Sequence, residues 1–219
     1  MCFSATASFI VGGSLTALGV VTVKRAKTRA ELPFSTLPLL FGIQQLVEGV
    51  LWLSIQHDMA QLQTFTTYIF TMFSHLVWPI YVPYAIALME SAQTIKPWRS
   101  NAMWACRFSG IVAAVLLLAL VATQPLTAVV SQHIIYVTPF FYDWPMLVLY
   151  ITATCVVAFF SSHTLIRIFG LMVLAFFLVS YWFYTEAFFS VWCFFAAMIS
   201  LVIYMHFRRT NSEAGRPVS

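Results

Sequence analysis

Apolar residues run along this chain in blocks of about twenty, enough to cross a bilayer core about 30 Å thick at about 1.5 Å of helix rise per residue. The pattern predicts an all-α, polytopic membrane protein: a seven-transmembrane-helix bundle with spans at 5–23, 33–55, 65–89, 103–123, 144–161, 164–182 and 187–206. Only Ser161, Ser162 and His163 separate the fifth span from the sixth, so this is the thinnest division. The long connection 124–142 reads QPLTAVVSQHIIYVTPFFY. Its β-branched residues flank Ser131 and Gln132, which suits a short hairpin or an interfacial flap. Its aromatic end, Tyr136, Phe140, Phe141 and Tyr142 with Trp144 beyond, suits the headgroup belt where a helix meets water.

Charge orients the bundle. Lys and Arg accumulate in cytoplasmic loops, and all eleven fall on alternate connections: Lys24, Arg25, Lys27 and Arg29; Lys96, Arg99 and Arg107; Arg167; and Arg208, Arg209 and Arg216. The opposite connections carry His57, Asp58, His133, Asp143 and Glu186, with no Lys or Arg. Six or eight spans would break this segregation. The amino terminus is therefore expected outside and the carboxyl terminus in the cytoplasm, with residues 1–207 forming the transmembrane domain and 208–219 a short disordered tail.

Composition agrees and excludes several classes. The chain is 61% hydrophobic and 8% charged, against about 25% charged for a soluble domain. Its net charge of +4 arises beside the spans, where lipid headgroups and topology account for it, so nucleic acid is not an expected partner. The four cysteines show no CxxC spacing and indicate no disulfide framework. The first apolar run precedes its basic cluster, the reverse of a cleaved signal peptide, so the first helix is expected to be retained.

Polar residues inside the spans are the candidates for chemistry, because an acidic side chain near a helix centre costs about 2.5 to 3.5 kcal/mol. Glu48 lies in LFGIQQLVEGVLWL, with Gln44 and Gln45 one turn earlier. On the third span Thr67, Thr71, Ser74, His75, Trp78 and Tyr81 recur at helical steps, so they form one stripe. Glu48 and His75 reach similar depth in the outer half and are the candidate catalytic pair. They could bind a metal, exchange a proton or simply satisfy each other. The last span adds Glu186, Ser190 and Cys193, then Ser200 and Tyr204. Near the start stand Cys2, Ser4, Thr6 and Ser8; loss of Met1 would leave the Cys2 thiol beside a free amine, able to chelate or attack. Gly12, Gly13 and Gly19 are expected to permit close helix contact.

The strings MCFSATASF and LPLLFGIQQLVEGVLW resemble a family of uncharacterised bacterial multi-spanning membrane proteins. The resemblance covers about the first quarter of the chain. It implies a bacterial inner-membrane protein and singles out Cys2, Ser4, Gln45 and Glu48, while importing no activity.

Three functions stay open. The first is an outer-facing metal site, zinc or another divalent ion held by Cys2, Glu48, His75 and Glu186 with Asp143 in support, serving a hydrolase on a lipid or small molecule. No HExxH or HxxxH motif supports it. The second is a proton-coupled small-solute transporter using Glu48 and His75. The third is a receptor or structural membrane partner. A retinal Schiff base is excluded, because the last span has no lysine.

Overall fold

The structure is a computed structural model, and it describes residues 4–90, 95–123, 126–130, 134–137, 144–183 and 188–214. Its elements are α1 (Ala5–Val23), α2 (Leu32–Ser35), α3 (Leu37–Gln56), α4 (Ala60–Met72), α5 (Trp78–Leu88), α6 (Pro97–Thr123), β1 (Thr127–Val130), β2 (Ile134–Val137), α7 (Trp144–Thr154), α8 (Thr164–Phe183) and α9 (Phe188–Ala214). Among the described residues six helical segments are long and apolar enough to cross a membrane. The expected fifth span is shorter: α7 continues into a 3-10 turn, Val156–Phe160, and ends there. α9 runs on through Ala214, beyond position 208 where the polar composition suggested that helix would give way to tail.

Helix α1 packs along the length of α3, antiparallel to it. Gly12 and Gly19 make this seam: a Cβ at Gly19 would meet the Leu39 backbone, and one at Gly12 would press on Leu46. Gly13 does not share that role, since it faces open space on the other side of the helix. Sequence alone could not separate the two adjacent glycines; the helical repeat of the buried stripe Ala5, Ser8, Gly12, Leu15, Gly19 does.

The third span is interrupted. Its stripe is buried from Thr67 through Trp78 and half-buried at Tyr81, but Phe73–Val77 winds as a π-helical turn between α4 and α5. The Trp78 N–H donates to the Phe73 carbonyl, five residues back, instead of to Ser74. In that register the Ser74 carbonyl faces the nitrogen of Pro79, which has no hydrogen to give. The orphaned oxygen accepts the Tyr150 hydroxyl from α7. Pro83 likewise releases the Pro79 carbonyl, and Gly110 of α6 packs onto it so closely that any Cβ would overlap the oxygen.

One end of the bundle gathers the basic segments: Arg25 reaches Tyr204, Phe34 meets Phe207, and His163 lies against His206. The far end carries the expected hairpin, β1 antiparallel to β2 with Thr127 opposite Val137 and Val130 opposite Ile134. Ala128, Ile134 and Tyr136 turn inward. Tyr136 stacks on Phe70 at 4.4 Å, and Gln63 Nε2 donates to the Ala128 carbonyl at 2.9 Å.

Candidate functional site

Toward the far end, α3 lays three polar side chains into the core. Gln44, Gln45 and Glu48 are all buried; the α1 seam takes the Gly42 and Gly49 side of the helix, and the other side meets α9 and Trp78 of α5. Phe41, one turn before, stacks on Trp78 at 4.0 Å. Trp78 Nε1 then donates to Gln44 Oε1 at 2.8 Å, fixing that side chain. The Gln44 side chain also lies against the Cys193 thiol, and Glu48 is near enough for its charge to act there. Behind them the π turn presents His75, whose Nδ1 and the Ser74 hydroxyl are 2.8 Å apart. Tyr150 closes this side, its ring edge-on to Trp192 at 5.5 Å.

The layer is not fully satisfied. Both amide atoms of Gln45, the Ser8 hydroxyl and the Trp52 indole N–H are buried and have no hydrogen-bond partner among the described residues. Gln45 and Trp52 are two turns apart on one face of α3 with Glu48 between them. Ser8 stands across the α1 seam, next to Phe9, which contacts the Gly49 position. Each buried donor or acceptor without a partner costs about 1–3 kcal/mol, so a concentration of them marks a place that something else is meant to fill.

A small cavity of about 30 Å³ adjoins the layer on the side toward the basic end. Phe41, Trp78, Phe169, Val173, Trp192 and Cys193 line it. Trp78 and Cys193 therefore belong to both: each turns one side to the apolar cavity and the other to Gln44.

Of the residues expected at a site, Glu48 and His75 are both buried. Cys2 and Glu186 lie outside the described residues, as do Asp143 and His133. Among the described residues no three His, Cys, Asp or Glu side chains gather as a metal group. A family model described as a family of unknown function (DUF6629) matches residues 1–217. The chain belongs to that family. No curated protein and no solved structure matches it. In this DUF6629 chain the site includes residues that sequence reasoning passed over: Trp52, Tyr150 and Trp192. Trp52 carried a usable signal, because it lies a heptad after Gln45. Tyr150 carried none, since only the lost helical bonds of Ser74, on another span, give its hydroxyl a task.

Proposed function

We propose that this protein is a seven-span protein of the bacterial inner membrane, amino terminus outside, that binds a small polar organic molecule in the layer around Gln45 and Glu48. The observation that carries this reading is the set of buried, unpartnered groups at Gln45, Ser8 and Trp52. Together they offer both donors and acceptors, and Glu48 adds an acidic group beside them. A neutral or cationic molecule carrying amide, amine or hydroxyl groups answers that chemistry; an anion does not.

In a proton-coupled carrier, the form of activity this layer suits, Glu48 or His75 would exchange the proton. The metal-dependent hydrolase needs a donor set that the described residues do not assemble, and Cys2 or Glu186 would have to complete it.

The test is a thermal-shift screen of small amines, amides and polyols on purified wild type beside Gln45→Leu. Leucine removes the unpartnered amide at similar volume, so the variant should be more stable than wild type without ligand, by about 1–3 kcal/mol. It should also lose the stabilisation that a ligand gives wild type. A compound that stabilises both proteins equally, or no compound stabilising wild type, overturns the reading.

A further inference from the structure

Because Gly110 sits directly on the Pro79 carbonyl, α5 and α6 run antiparallel at unusually short separation. Their close approach brings Tyr84, five residues after Pro79, alongside Arg107, three residues before Gly110. The Arg107 guanidinium carbon lies 5.6 Å from the Tyr84 ring centre and 4.9 Å from that of Trp104, inside the cation–π range of about 6 Å. Arg99, two turns earlier or roughly 12 Å along the helix, stands 5.4 Å from the ring centre of Trp98.

Among the described residues neither arginine has an acidic partner, and the Nε of each is buried without a hydrogen bond. Glu90, at the same end of the bundle, is committed to Ser161 and Ser162. The surrounding rings are turned outward: Tyr84, Trp98, Trp104 and Phe108 are all exposed. On a helix that spans a membrane, such a surface meets lipid at the level of the headgroups. Held against two rings, a guanidinium keeps its planar fork of donors oriented for a phosphate and pays little ordering entropy on binding it.

We propose that Tyr84, Trp104 and Arg107, with Arg99, form a binding site for the headgroup of an anionic phospholipid. Arg107 hydrogen-bonds the phosphodiester, Arg99 adds charge, and the aromatic rings pack against the upper acyl chains. This site is separate from the polar layer and does not depend on the function assigned there.

The experiment compares the full chain in nanodiscs of phosphatidylcholine alone and with added phosphatidylglycerol, reading retained lipid by native mass spectrometry and stability by melting. Wild type should retain phosphatidylglycerol and melt higher in its presence. Arg107→Gln should weaken retention about tenfold, the loss expected for one charge-assisted phosphate contact, while melting as wild type does in phosphatidylcholine. Arg208→Gln, near the carboxyl end of α9, should retain the lipid as wild type does. Should Arg107→Gln fail to fold, Trp104→Leu keeps the charge, removes one wall of the clamp and should still weaken retention. Equal losses in Arg107→Gln and Arg208→Gln would reduce the effect to general surface charge and overturn the site. So would unchanged retention in the clamp variant, or full competition by inorganic phosphate, which would make it a site for free phosphate instead.

Discussion

Two polar clusters occupy opposite ends of the bundle, one half-buried and one buried, and they differ in how completely their groups are paired. At the basic end, the Glu90 carboxylate accepts from the Ser161 hydroxyl at 2.6 Å, the Ser162 N–H at 3.0 Å and the Ser162 hydroxyl at 2.6 Å. The Ser161 oxygen in turn accepts the His163 N–H, and the His163 ring pairs with the Met89 carbonyl at 3.2 Å. Every partner there holds the turn between the 3-10 segment and α8. In the far layer Gln45, Ser8 and Trp52 keep buried groups with no partner among the described residues. Intramembrane polarity alone therefore does not mark a functional site; polarity left unsatisfied does. The strongest way to break this contrast is Glu90→Ala. It strips three contacts from the turn and should cost about 3 kcal/mol in an unfolding titration, with ligand binding in the far layer unchanged once the protein is folded. A loss of far-layer binding without a loss of stability would show that the basic end is not merely structural.

The same contrast runs within the far layer, where Tyr150 is a paired member. Its hydroxyl fills a carbonyl that the π turn and Pro79 have deprived of helical donors. Tyr150→Phe should therefore destabilise the protein by about 2 kcal/mol, opposite in sign to Gln45→Leu, although the two residues belong to one layer. Calorimetry or thermal melting of both variants side by side checks the signs. A stabilising Tyr150→Phe would mean that the Ser74 carbonyl finds another donor.

Much of the bundle was legible because lipid imposes a simple rule: about twenty apolar residues per crossing. The hairpin was legible too, since β-branched runs flank its turn. The burial of Glu48 and His75 followed from helical spacing and the cost of acids in lipid. What sequence hid were contacts between spans. The even three- and four-residue spacing of Thr67 through Tyr81 reads as one unbroken helix, and the π turn appears only when Pro79 is asked where its missing N–H is felt. Glu90 stands at a span end among ordinary boundary residues, and nothing near it in sequence announces Ser161 and Ser162, more than seventy positions later. The distinction between Gln44, bonded to Trp78, and Gln45, bonded to nothing described, is likewise a fact of geometry: the two are neighbours of identical chemistry.

Ser8→Ala is the smallest perturbation and separates an unfilled site from a poorly packed seam. The hydroxyl is buried at the level of Gly49 and has no partner among the described residues. Its removal deletes an unpaired polar atom without opening a cavity of consequence, so the unliganded protein should change by no more than about 1 kcal/mol, in the stabilising direction. A molecule bound in the layer would use that hydroxyl, so its affinity should fall by about five- to tenfold, the equivalent of one neutral hydrogen bond. Isothermal titration with a compound found on wild type measures both the affinity and the contrast with Gln45→Leu. Should Ser8→Ala stabilise the protein while leaving affinity untouched, Ser8 belongs to the α1 seam alone, and the site contracts to Gln45, Glu48 and Trp52.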